Sequence, residues 1–232
     1  MIRLYDYHTI LEGRTIKKSA ILFSEMTPGD DWEDDFNDWY DNEHIPLRMN
    51  VPGFTSAQRY RRVGTSNYSV IYEMDSLAVL TTEAYGRVKN YPSERTARML
   101  RDVSGFTRYT CEQINTIGPD EMDSPVLYAV FFTVPGDRQA EFNSWYDQDH
   151  VPTLMECPDW RMVRRFRVLS GEPKEWTHLA LHYLQTHDAL NSEARAKARA
   201  SDWRAKLASE SWFEPHYLIF YRFGPRRRPP ET

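Results

Sequence analysis

Apolar positions along the chain alternate between two periods. Ser19 to Met26 is almost continuously apolar or small, and the run stops at Pro28-Gly29, which reads as a strand and its turn. Trp32, Phe36, Trp39 and Tyr40 follow at spacings of four, three and one. They mark one stripe of a helix whose start carries Asp30 and Asp31. Pro46 disfavours helical geometry at Ile45, so this helix is expected to end near His44. Strands are predicted over 54–63 and 68–74 around the turn Gly64-Thr-Ser-Asn67. A mostly helical stretch over 77–101, interrupted at Tyr91-Pro92, and a strand over 105–114 come next. The succession then recurs: strand 126–134, a helix from about Asp137, strands 160–169 and 176–185, helix 189–208 and strand 212–223.

The recurrence extends to the residues themselves. Phe36-Asn-Asp-Trp39-Tyr40-Asp41-Asn-Glu43-His44-Ile-Pro46 is echoed by Phe142-Asn-Ser-Trp145-Tyr146-Asp147-Gln-Asp149-His150-Val-Pro152, each residue 106 positions after its partner. So long a repeat defines two copies of one unit. The expected organisation is an N-terminal extension (1–18), a first unit (19–117), a linker (118–125), a second unit (126–224) and a basic, proline-containing tail (225–232).

Each unit has the order β-α-β-β-α-β of the ferredoxin-like motif, so the fold class is α+β. A single unit leaves one sheet face open, and two copies bury it by closing sheet against sheet. The motif Trp-Tyr-x-x-(Glu/Asp)-His-(Ile/Val)-Pro, on the first helix of such a unit, resembles the EthD-like branch of the dimeric α/β-barrel superfamily. The resemblance covers about 19–223 and implies an intrachain version of a barrel that most members build as homodimers. It also implies a range of activities: isomerases, cyclases, cofactor-free monooxygenases, decarboxylase-like lyases and haem enzymes.

Composition narrows the picture. A net charge of −5 and a pI near 5.8 argue against nucleic acid as a partner, and Arg226-Arg227-Arg228 reads as a solvated tail. Cys111 and Cys157 match nothing across the repeat and form no CxxC, as expected of a reduced, cytoplasmic protein. No apolar run is long enough to span a membrane. No GxGxxG, GxxxxGK[ST] or GxSxG occurs, so dinucleotide, P-loop and hydrolase-elbow readings lack support.

Candidate chemistry begins with the repeated His44 and His150. Near a helix C-terminus and beside Glu43 or Asp149, either could titrate near neutrality; equally, each could fasten the helix exit to a backbone carbonyl. Divergent positions are the second group. On the strand after Trp176, alternation puts Trp176, His178, Ala180 and His182 on one face, expected to look between the two sheets. Leu179, Leu181 and Tyr183 are expected under the helices. Pairing Leu80 with Leu190 sets Tyr72 opposite His182 and Tyr68 opposite His178, phenols against imidazoles, and Arg108 aligns with His216. Arg59 and Arg165 occupy one position of the second strand in both copies. Facing outward they pair with helix acids such as Asp38 or Asp41, the favoured reading; facing inward they could hold a carboxylate or phenolate.

These residues suggest a cofactor-independent, metal-free acid–base enzyme, a lyase such as a decarboxylase, or a cyclase or isomerase, acting on a small aromatic or polyketide-like substrate. His182, His178, His150 and His44 are the catalytic candidates. Tyr72, Tyr68, Tyr40, Tyr146, Arg59, Arg165, His216 and Trp176 are the substrate-binding candidates. A non-catalytic aromatic-binding or accessory protein is the alternative, and a haem or metal enzyme the third reading. Further pairing into a homodimer of fused pairs stays open.

Overall fold

The computed structural model describes residues 19–231; the expected extension over 1–18 lies outside them. Eight strands close a barrel: β1 (Ala20–Thr27), β2 (Phe54–Arg62), β3 (Tyr68–Met74), β4 (Ser104–Ile117), β5 (Val126–Phe132), β6 (Trp160–Glu172), β7 (His178–Leu184) and β8 (His216–Arg227). Their order around the barrel is β1-β3-β2-β8-β5-β7-β6-β4, every neighbour antiparallel. Each half contributes four adjacent strands, and the halves meet along β2–β8 and β4–β6. Closure pairs each of these strands on both sides, so the barrel has no free edge.

Helices cover the outside. In the first half α1 (Glu33–Trp39) runs through a π-helical turn, Tyr40–His44, into α2 (Ile45–Met49); α3 (Glu83–Asn90) and α4 (Glu94–Asp102) follow. The second half repeats this with α5 (Gln139–Trp145), a π-helical turn at Tyr146–His150, α6 (Val151–Leu154), α7 (Glu193–Arg199) and α8 (Asp202–Ala208). The break expected at Tyr91-Pro92 separates α3 from α4. The expected helix end at His44 does not occur: His44 and Ile45 both keep right-handed helical geometry. A π-helical turn changes the hydrogen-bond ladder just where Pro46 would lack its N–H, so the helix passes through the proline.

Three layers of apolar side chains result. Ile21, Phe23, Tyr60, Phe131, Phe166 and Phe220 pack with Leu179, Leu181 and Tyr183 in the barrel interior. The other two layers lie between sheet and helices, one in each half. The barrel interior is therefore a packed core, and the face assignment made for β7 is reversed. Leu179, Leu181 and Tyr183 point inward, while Ala180 lies under the helices, where His178 and His182 touch Phe142 and Tyr146. Every residue of β7 is buried, so alternation separates its faces without telling which is the barrel side. Trp176 precedes β7 and does pack against the interior layer, its ring 5.6 Å from Phe131.

One end of the barrel is closed by a buried ion pair. Arg164 donates to both carboxylate oxygens of Glu73 at 2.6 and 2.8 Å, with further bonds to Gln113 and the Tyr183 hydroxyl. The connecting segment folds over this end: Gly118 turns at φ +98°, and a Cβ there would meet the Arg161 carbonyl at 2.6 Å. The expected solvated tail is partly structural. β8 continues to Arg227, and the side chain of Arg226, 5% exposed, binds Asp123, Ser56 and the Met122 carbonyl. Its planar fork finds acceptors that the connecting segment supplies.

Glu73→Gln or Arg164→Met alone should destabilise the protein by ~3–5 kcal/mol, because the surviving charge stays buried and unpaired. The double change should cost less than the two singles combined, which denaturant titration of all three variants measures.

Candidate active site

The repeated motif places the helices. Asp41 pairs with Arg59 at 3.1 Å and Asp147 with Arg165 at 2.6 Å, so the outward reading of these arginines is the observed one. Asn37 and Asn143 accept from the same guanidinium groups. Each fork also lies 4.6 Å from the centre of the motif tyrosine ring, Tyr40 or Tyr146. The next acid of the motif acts elsewhere. Glu43 accepts from Ser93 and Thr96, and Asp149 from Ser201 at 2.6 Å. Ser93 and Ser201 are the N-caps of α4 and α8, so this acid docks the second helix pair and does not polarise the histidine beside it.

The two halves differ in what the frame encloses. In the first half a cavity of about 760 Å³ opens between sheet and helices, within the roughly 300–1,000 Å³ span of small-molecule sites. Tyr40, His44, Arg48, Tyr72, Tyr85 and Arg108 supply its polar wall, and the described residues around it include no aspartate or glutamate. Leu47, Tyr91, Leu100 and Phe106, all exposed, line the same cavity. The corresponding space in the second half is about 30 Å³, room for a single water.

Four positions account for the filling. The strand pairings equate Leu22 with Tyr128, Tyr72 with His182, and Arg108 with Tyr217; the repeat equates Phe54 with Trp160. Tyr128 stacks on Tyr217 at 5.6 Å and meets Trp160 edge-on. The alignment of Arg108 with His216 is thus corrected: Arg108 lies opposite Ser24, and Tyr217 opposite the equivalent Val130. His216 instead stacks on Trp176 at the barrel mouth, 5.5 Å away, outside both cavities.

The histidines divide accordingly. His182 is 1% exposed and closed into a network. Its Nδ1 accepts from the Trp160 indole at 3.1 Å, which leaves Nε2 to carry the proton and donate to the Tyr146 hydroxyl at 2.9 Å. Burial and the nearby charges of His150, Arg165 and Arg195 hold it well below the usual imidazole range. His178 bonds the Thr177 hydroxyl at 2.9 Å and is lowered to about 4 by burial. His150 is lowered to about 3, again by burial, although the Ala198 carbonyl favours its protonated form. His44 lines the open cavity, its ring 4.2 Å from Trp39 and 4.9 Å from Tyr40. Its buried Nδ1 has no hydrogen-bond partner among the described residues. Burial, then Arg48 and Arg59, depress it well below 6.5, so it is a neutral base at neutral pH. The expected near-neutral titration at a helix end is not found, because His44 lies inside a continuous helix and away from water.

Tyr72 and Tyr40 stand beside His44. The buried Tyr72 hydroxyl lies beside that of Tyr40, too loosely for a well-formed hydrogen bond and with no other partner among the described residues; burial raises both phenols, and Arg48 lies 5.2 Å over the Tyr72 ring. Tyr68, by contrast, donates to Glu33 at 2.5 Å and lies outside the cavity lining. Sequence reasoning missed Arg48, Tyr85 and Arg108 as site residues. Their signal was weak: Arg48 sits four residues after His44, on the same helical face. No cluster of His, Cys, Asp or Glu suited to a metal ion occurs among the described residues, and no helix among them is long and apolar enough to cross a membrane.

No family model and no curated protein sequence matches the chain. Solved structures do. An anthrone oxidase-like protein superposes with a TM-score of 0.67 at 13% identity, over 93% of this chain and 94% of that one. A provisionally named monooxygenase from Fusobacterium nucleatum gives 0.61 at 8% identity, over 91% and 95%. A mutant chlorite dismutase from Candidatus Nitrospira defluvii, in complex with cyanide, gives 0.58 at 9%, over 89% and 91%. The fold is that of the dimeric α/β-barrel proteins, here closed within one chain; likeness at these identities extends no further than the fold.

The buried histidines make stability fall with acid. An imidazole depressed in the folded state takes up its proton first in the unfolded chain, so stability is full above about pH 6.5 and is lost as pH falls towards 4 and 3. Glu25 acts in the opposite sense. Burial raises it to about 7, so its contribution is present below 4.5 and lost as pH rises through 7. Denaturant midpoints measured from pH 4 to 8 should therefore rise steeply to about 6.5. Relative to wild type, Glu25→Gln should gain stability progressively from about pH 4.5 to 7 and by a constant amount above it.

Proposed function

We propose that this chain is an enzyme that binds a small hydroxylated aromatic compound in the first-half cavity and moves a proton on it. The carrying observation is the polar wall of that cavity: a neutral, buried imidazole, His44, beside two phenols and Arg48, which has no carboxylate partner among the described residues. His44 takes a proton from an acidic C–H or O–H of the substrate. Negative charge then develops on the conjugated oxygen, where Tyr72 and Tyr40 donate hydrogen bonds and Arg48 supplies positive charge. Returning the proton to another carbon is isomerisation. Carbon–carbon bond cleavage or closure from the same anion gives a lyase or cyclase. The likeness to an anthrone oxidase-like fold supports an aromatic ligand of this kind and adds oxygenation as another fate of the anion.

His178 and His182 have no place in this reading, since both carry out packing and hydrogen bonding in the filled half. Trp176, His216, Arg59, Arg165 and Tyr146 support the frame or the filled half. A haem reading draws on the chlorite dismutase likeness and on His44, the one imidazole of the cavity wall among the described residues. His44 would hold such a group, which would supply redox chemistry, and a Soret band in the purified protein lost in His44→Ala would assign it.

The test is deuterium exchange into the acidic C–H of an anthrone-type probe in D₂O without oxygen, followed by NMR. His44→Phe should slow exchange by ~10²–10⁴-fold while the probe still binds. Full exchange in His44→Phe would remove the assignment. His182→Phe should leave exchange unchanged and lower the thermal midpoint, because it strands the Trp160 and Tyr146 polar groups.

A further inference from the structure

We infer that the substrate also carries a carboxylate, and that Arg108 together with Tyr85 forms its binding subsite, apart from the proton-transfer group at His44. The inference rests on the functional reading above and deepens it. Arg108 projects from β4 into the cavity and donates to the Tyr85 hydroxyl at 2.7 Å. A phenol that accepts this bond keeps its own O–H free to donate. Guanidinium and phenol thus present several donors to the cavity; the acid opposite Arg108 on the neighbouring strand, Glu172, makes no ion pair with it, so the fork stays available to bind a carboxylate by charge-assisted hydrogen bonds.

Comparison with the arginines that clamp the fold sets Arg108 apart, as it does Arg48 beside His44 on the same cavity wall. Arg59, Arg165 and Arg164 are each neutralised by a carboxylate of this chain, at 3.1, 2.6 and 2.6 Å. Arg108 makes no ion pair with any described residue, although it is half-buried. The filled half shows what happens when no ligand is to be held: Tyr217 takes the place of Arg108 and packs on Tyr128. At this strand position the cation is gone together with the cavity, while Arg195, Arg199 and Arg204 of the helices line what space remains.

Position fixes the geometry of the ligand. Arg108 sits opposite Ser24 on one side of β1, and Tyr72 opposite Leu22 on the other. Two strand spacings and two residues of rise separate their backbones by on the order of 12 Å. Both side chains reach into the same space, so a fused-ring arene can span them, its phenol at Tyr72 and its carboxylate at Arg108.

The experiment is fluorescence titration with 6-hydroxy-2-naphthoate and its neutral isostere, 6-hydroxy-2-naphthamide. The carboxylate should bind roughly 10- to 100-fold more tightly to the wild-type protein. Arg108→Gln should abolish that preference while the amide still binds, which also shows the cavity intact. Arg108→Lys should restore part of it, and His44→Phe should leave it in place. Equal affinity of the wild type for both probes overturns the subsite and leaves the aromatic reading standing. A preference that survives Arg108→Gln overturns the assignment to this residue. Failure of both probes to bind overturns subsite and aromatic ligand together. A carboxylate preference with no deuterium exchange on any probe would retain the subsite and remove the catalytic reading.

Discussion

Everything in each half depends on how one helix is held above its sheet, and two acids of a single π-helical turn do the holding. Asp41 and Asp147 grip an arginine of the sheet; Glu43 and Asp149 grip the helix caps of α4 and α8. One contact fixes the helix along the strands and the other fixes its neighbour. Tyr40 and His44, four positions apart on the same turn, are thereby aimed at a defined space between helix and sheet. A charged clamp suits this role because it is directional and half-covered, with the aromatic rings of Phe36 and Tyr68 shielding the arginine.

Within that shared frame, a few strand residues decide whether the space is open or solid. Replacing Leu22 by a tyrosine and Phe54 by a tryptophan adds two polar aromatic groups, as Tyr128 and Trp160 in the second half show. Trp160 then needs an acceptor, and the imidazole of His182 provides it at the position where the first half carries Tyr72. The changes are thus coupled: the indole and the imidazole satisfy each other, and neither would be tolerated alone. His182 is where it is because of packing. His44, with the same motif around it, keeps a free side toward an open cavity because Leu22, Phe54 and Tyr72 stand where the second half carries Tyr128, Trp160 and His182.

The repeat, the element order and the closure of two sheets were legible in the sequence because they rest on periodicity, which survives any change of residue. The motif acids and Arg59 were legible too, in part, since charges on a helix and a strand in register can be expected to meet. Which face of β7 looks inward was not. Both faces of that strand are buried, Leu179, Leu181 and Tyr183 pack into the barrel, and hydrogen bonds to Thr177, Trp160 and Tyr146 satisfy His178 and His182 in the outer layer. The match of β4 to its counterpart β8 was also hidden: Arg108 lies 15 residues after the cap Ser93 (108 − 93) but Tyr217 lies 16 after Ser201 (217 − 201), and that one-residue difference moves the match from His216 to Tyr217. Cavity volume is a sum over many side chains, and no local pattern announces it.

The ring of eight strands lies within one polypeptide, joined through the Gly118–Pro125 segment that also folds over the barrel end. A barrel assembled from separate subunits comes apart on dilution, and each mutation enters it twice. Here the second half is present at a fixed effective concentration whatever the amount of protein. A substitution also enters only once. One half is therefore free to become a solid support, trading its cavity for aromatic packing, while the other keeps an opening that is costly to stability. The protein can carry a single hollow site in a frame whose other half is built for rigidity.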